Sequence, residues 1–151
     1  MPSKILIQFE GFIDYVESLN RPFVQDAWLN PVAPGKWTWK ELICHLWNWD
    51  VYSMEKMIPW MKDGAQLPEF VDHDAHNMVA IEKAKLFHDI ESLIHEFALT
   101  RREMIRKIEE IYDPGIRFTI GKGKKQHAID SYAKIFVHHD EHHKKQMELM
   151  K

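Results

Sequence analysis

Apolar residues recur at steps of three and four along most of this chain, the spacing of amphipathic helices. Ile5, Phe9, Phe12, Ile13, Val16 and Leu19 form the first stripe, behind Ser3, a residue type that caps helix N-termini. Arg21-Pro22 ends it, and residues 21–36, with their Pro and Asn, read as a connection holding one short turn around Phe23–Leu29. A second helix opens at Thr38-x-x-Glu41, a capping box with Trp37 and Leu42 placed as a hydrophobic staple. Its stripe runs through Leu42, His45/Leu46, Trp49, Tyr52/Ser53 and Lys56/Met57, with Pro59 marking its last turns. Residues 62–71 read as a loop. Asp72 or Asp74 caps a third stretch carrying Ala75, Met78, Val79 and Ile81. The pattern weakens over residues 85–89, resumes from Ile90 to Ile111, and stops at Asp113-Pro114-Gly115. Residues 116–120 alternate briefly as an extended segment, residues 121–125 form an exposed loop, and a last helix runs from about Ala128. The fold class is all-α. Four long amphipathic helices with one or two short extra ones fit a four-helix bundle, and residues 1–151 read as one domain.

Composition narrows the function classes. The chain has 151 residues, 45% of them hydrophobic, enough for a packed core. Its net charge of −3 argues against a general grip on nucleic acid or anionic lipid. The one cysteine, Cys44, excludes an internal disulfide. No apolar run approaches the roughly 20 residues of a membrane span, and residues 1–10 turn polar too soon for a signal segment. The expectation is a cytoplasmic protein with a small-molecule partner. A homodimer through an exposed helix face is compatible with such bundles, although no stripe demands one.

Ten histidines are many for this length, and four fall in His138-His139-Asp140-Glu141-His142-His143. The run holds two overlapping His-x-x-x-His pairs, and residues four apart share a helix face. Steps from Phe136 land on His139, His143 and Met147, so this pair continues the buried stripe. His138 and His142 follow the less apolar line through Ser131, Ile135 and Lys145. His45 sits between Leu42 and Trp49 on the inward face of the second helix. Two facing helices would bring His45 to His139 and His143, giving three imidazoles with an open position, as in catalytic sites for zinc or a similar divalent ion. The plainer alternative is that inward histidines hydrogen-bond within the core, since most such helical pairs bind nothing.

Two segments carry a family resemblance. Residues 34–50 (Pro-Gly-Lys-Trp-Thr-Trp-Lys-Glu-Leu-Ile-Cys-His-Leu-Trp-Asn-Trp-Asp) and the closing His139-Asp140-Glu141-His142-His143-Lys144-Lys145-Gln146 resemble the DinB/YfiT-like family. That family shows Trp-Ser/Thr, then His-Leu and Trp-Asp/Glu on one helix, and a C-terminal His-x-x-His-His-x-x-Gln. The resemblance implies an up-down-down-up bundle, with His45, His139 and His143 as the ligands of a divalent metal: zinc first, with nickel, iron or manganese as alternatives. It also implies relatives that are transferases or isomerases using low-molecular-weight thiols.

The remaining candidates carry weaker signals. Cys44 lies about 100° round the helix from His45 and reads as a small buried residue. Asp50 reads equally as an orienting partner of a ligand, an exposed charge or half of a salt bridge. Asp140 and Glu141 point off the stripe and read as solvated charges. Gln146 is placed to hydrogen-bond near His143. Trp37, Trp39, Trp47, Trp49 and Trp60 read mostly as packing, with one or two lining a pocket. Residues 72–76 (Asp-His-Asp-Ala-His) read as a solvated helix start. The expected function is a metal-dependent transferase or hydrolase that activates a thiol or water. Its rivals are a bundle with a structural or sensing metal and a metal-free interaction protein.

Overall fold

The structure, a computed structural model, describes residues 3–148. Four long helices dominate: α1 (Lys4–Ser18), α3 (Trp39–Lys56), α5 (Ile90–Ile111) and α6 (Ile129–Glu148). Two shorter ones, α2 (Pro22–Ala27) and α4 (His73–Ala84), lie in the connections. Local chemistry sets the helix starts. Ser3 Oγ accepts from the Leu6 amide, and Asp72 and Asp89 do the same for α4 and α5 through Ala75 and Ser92. Thr38 and Glu41 form the complete reciprocal box at α3. Pro22 occupies the first turn of α2, where its missing N–H costs nothing. Pro59 falls beyond α3, within a single 3₁₀ turn over Ile58–Trp60.

Two groups of buried side chains fix the direction of each long helix. One gathers Leu6 and Phe9 of α1, Trp49 and Tyr52 of α3, Met104 and Ile108 of α5, and Ile129 to Val137 of α6. The other gathers Val16 of α1, Leu42 and Leu46 of α3, Ile90 to Phe97 of α5, and Met147 of α6. Helices α1 and α6 therefore run from the first group to the second, and α3 and α5 run back. The topology is up-down-down-up, with α1 packed on α5 and α6, and α3 on α5 and α4.

Parallel α3 and α5 cannot be joined by a tight turn. The chain leaving Lys56 must travel the length of the bundle before Ile90, and α4 covers about 18 Å of that distance against α3. The loop expected over residues 62–71 contributes β1 (Gln66–Leu67), which pairs in parallel with β2 (Thr119–Ile120) and closes the first group's end of the bundle. Gly121 follows β2 at φ +59°, and a Cβ there would lie 2.9 Å from Glu69 Cβ, so this crossing of backbones admits no larger residue. None of the four apolar residues expected to bury α4 is buried, Ala75 being exposed and Ile81 half-buried. Ala80 and Ala84 face inward, while Met78 and Val79 are 60% and 48% exposed.

A charged node lies between the two apolar groups. Arg101 is fully buried and spends all five N–H donors. Nε and Nη2 donate to Asp50 at 2.7 and 3.1 Å, and Nη1 and Nη2 to Asp140 at 2.9 and 3.2 Å. Nη1 also donates to the Phe9 carbonyl at 3.2 Å. Phe9, Phe12 and Phe97 surround the guanidinium at 4.2 to 5.6 Å. Asp140 is thus buried and paired, not solvated as its sequence position suggested, because a neighbour one step along a helix faces a second buried surface. Burial pushes both carboxyls upward, Asp140 to about 7, against the pull of Arg101.

Arg101→Met leaves two buried carboxylates without a cation and is expected to cost about 3–5 kcal/mol in urea unfolding. Adding Asp50→Leu and Asp140→Leu to that variant should recover most of the loss. No recovery in the triple variant would show that the node does more than satisfy its own charges.

Candidate metal centre

His45 enters from the first half of α3, and His139 and His143 from the second half of α6. Their ligand nitrogens all lie within 4.8 Å of one another, and among the described residues no other trio of such side chains converges in this way. His139 Nε2 stands 3.0 Å from Nε2 of His45 and 3.0 Å from Nε2 of His143. One Nε2 carries either a hydrogen or a lone pair, so His139 can satisfy only one of these contacts by hydrogen bonding. Three lone pairs around one cation satisfy all of them. Tetrahedral zinc with bonds of about 2.0–2.1 Å would hold its nitrogens about 3.3 Å apart, close to the spacing found.

The opposite edges of the rings fix the tautomers. His45 Nδ1–H donates to Asn77 Oδ1 at 2.9 Å, and His143 Nδ1–H donates to Gln146 Oε1 at 2.7 Å. Trp49 Nε1–H donates to the same Asn77 oxygen at 3.2 Å, which fixes which way that amide points. The Nε2 lone pairs of His45 and His143 are thereby left facing the centre. The Trp37 ring packs on His45 at 4.7 Å.

Burial keeps the trio neutral. Desolvation, reinforced by the neighbouring rings, lowers His45 to about 3 and His139 to about 4, and desolvation also lowers His143. Neutral imidazoles are the ligating form. The donor set therefore fits a divalent ion that accepts nitrogen.

A cavity of about 260 Å³ opens on His45 and His139, walled by Trp49, Phe70, Ile135 and Phe136 and edged by His73 and Asn77. On the far side, His143 and Gln146 border a second hollow with Lys36 and Trp37.

Most sequence expectations find their place here. His138 and His142 are exposed, as their register required. Gln146 meets His143, and Trp49 and Trp37 border the cavities. Cys44 is buried, and desolvation raises its thiol to about 11. Asp50 takes the salt-bridge role and touches no ligand. Residues 72–74 are an exposed helix start, yet His73 borders the cavity and the half-buried His76 contacts Asn48. Residues 122–125 are exposed. Asn77 escaped sequence reasoning, since one Asn on a weakly amphipathic helix carries no signal until α4 is laid on α3.

Comparison with known proteins agrees with this architecture. The family model of the DinB superfamily matches residues 8–147. No curated protein matches the chain. Among solved structures, YfiT from Bacillus subtilis, described as a probable metal-dependent hydrolase with an unusual four-helix bundle topology, aligns with a TM-score of 0.75 at 13% identity. The alignment covers 99% of this chain and 88% of that one.

His45→Ala and His139→Ala should carry no zinc by elemental analysis after incubation and desalting, while His138→Ala and His142→Ala should carry as much as the parent. Asn77→Leu and Gln146→Leu should bind zinc about 10–100-fold more weakly. Burial lowers all three imidazoles, His45 to about 3 and His139 to about 4, so the loss of zinc affinity on acidification, measured against a chelating dye, should begin below the ordinary imidazole range. A decline that starts near the ordinary imidazole value of about 6.5 would contradict the burial argument.

Proposed function

The chain belongs to the DinB superfamily, and on that premise we propose that it is a divalent-metal-dependent enzyme acting on a small molecule, with His45, His139 and His143 as the metal ligands. The observation that carries this reading is the convergence of three neutral imidazoles, two of them locked by Asn77 and Gln146, with His45 and His139 opening on an apolar cavity. When bound there, the ion supplies the charge that lowers the pKa of a thiol or water and polarises an electrophile. Zinc suits the all-nitrogen set best, and nickel, iron or manganese are alternatives.

The chain's own residues supply the rest. Trp49, Phe70, Ile135 and Phe136 exclude water from the reacting groups and accept an apolar portion of the substrate. A cavity of about 260 Å³ suits a small electrophile, not a polymer. The resemblance to thiol-using relatives favours a low-molecular-weight thiol as nucleophile, with transfer of its sulfur to the electrophile. Water is the second candidate, supported by the description of YfiT as a probable hydrolase.

A structural or sensing ion is the rival reading. A structural ion contributes much of the folding free energy. Here two apolar groups and the Arg101 node make a core that does not depend on the centre. Chelation is therefore expected to leave a cooperatively folded protein by circular dichroism, and a collapse of the fold on chelation would favour the structural ion. The zinc-loaded protein should conjugate bacillithiol, mycothiol or glutathione to a generic electrophile such as 1-chloro-2,4-dinitrobenzene, or else hydrolyse p-nitrophenyl acetate, and His139→Ala should do neither. Turnover that is equal in parent and variant would remove the centre from the reaction.

A further inference from the structure

The nucleophile in either branch must lose a proton, and the cavity wall offers few places for it to go. His45, His139 and His143 have their Nε2 atoms committed to the centre. Trp49, Phe70, Ile135 and Phe136 accept no proton. Asn77 already receives two hydrogen bonds on its oxygen, from His45 and from Trp49. The remaining lining residue is His73.

Its placement is unusual in one respect. His73 borders the inner cavity with His45 and His139, and it also borders an outer hollow with Glu69, Asp72 and Asp74 that opens to solvent. Phe70 is the other residue common to both, so these two side chains form the partition between them. The His73 ring packs against Trp49 at 5.2 Å, on the side facing α3. It lies at the first position of α4, and the Asp72 cap of that helix uses the Ala75 amide and leaves the His73 imidazole uninvolved. An imidazole has nitrogens that can both accept and donate a proton, which the Phe70 ring cannot do.

We propose that His73 is the proton relay of this site, carrying the nucleophile's proton from the cavity to solvent. The inference rests on the metal-dependent reading given above. The O–H or S–H bond of the bound nucleophile breaks, its electron pair stays on oxygen or sulfur, and the proton bonds to an imidazole nitrogen of His73. A solvent base in the outer hollow then removes a proton from the ring and restores its starting form. The charged and titratable groups around the relay are Glu69, Asp72 and Asp74 on the solvent side, His76 one turn along α4, and His45 and His139 across the cavity.

The test uses the full chain loaded with cobalt(II), whose visible bands report ionisation at its open positions. After a microsecond temperature jump in dilute buffer, the relaxation of those bands measures proton exit without any substrate. The parent should relax quickly and independently of buffer concentration. His73→Gln should bind the same amount of cobalt, relax at least about tenfold more slowly, and speed up as buffer is added. Free imidazole should restore His73→Ala. Equal relaxation in parent and His73→Gln overturns the relay while leaving the metal-dependent reading intact. Bands that bind cobalt but do not respond between pH 5 and 9 also overturn it, because no proton is then released. Failure to bind cobalt overturns the underlying reading instead. Because His73 is exposed, His73→Gln is expected to keep the parent's circular dichroism, and a change there would show that the side chain is structural.

Discussion

The guanidinium of Arg101 is the point on which the bundle closes. Among the described residues it is the one place where all four long helices meet polar partners: α5 supplies the cation, α3 and α6 a carboxylate each, and α1 a carbonyl. A charge so buried is tolerable only when every donor is satisfied, and each of the five is. Apolar packing alone lets helices slide by a turn at modest cost. A five-donor node does not, since a shift of one turn would strand at least one charge in a low-dielectric interior. The node therefore sets the register of α3 against α6.

That register is what the metal centre needs. Asp50 lies five residues after His45 on α3, about 7.5 Å along the axis, and Asp140 follows His139 directly on α6. Each helix thus carries an anchoring carboxylate and a ligand close together but on different faces. Fixing the carboxylates on Arg101 fixes the imidazoles relative to one another. Asn77 and Gln146 then complete the job locally by choosing the tautomers of His45 and His143. The long-range constraint and the short-range one act at different scales, and the spacing of three nitrogens within 4.8 Å reflects both.

Much of this was legible in the sequence, for definite reasons. Helical periodicity separated His139 and His143 from His138 and His142, because a stripe is a local property of one helix. The capping box at Thr38 and Glu41 and the cap at Ser3 were equally local, while at α4 the sequence left Asp72 and Asp74 as alternatives and the structure selects Asp72. The node was not legible. Arg101 looks like any charged residue on a long helix, and Asp140 sits off the main stripe, so only the position of the neighbouring helices shows that both are buried. The pairing of β1 with β2 was hidden likewise, because their two-residue strands lie more than fifty positions apart. The up-down-down-up topology came from family resemblance, since periodicity says nothing about helix direction. Met78 and Val79 show the limit of pattern reading, as their spacing suggested a buried face that the crossover turns outward.

The crossover itself has a consequence for how such a protein can change over time. The three histidines ride on α3 and α6, which are bound into the core, whereas Phe70, His73 and Asn77 belong to the segment that carries the chain from α3 to α5. The segment must exist for the parallel helices to connect, but most of its length is free of the core's packing demands. Substitution or lengthening there remodels the cavity beside His45 and His139 while the geometry of the three histidines stays put. The topology thus separates the histidine cluster from the wall of the cavity beside it, and natural diversification has a place to act that leaves the scaffold unharmed.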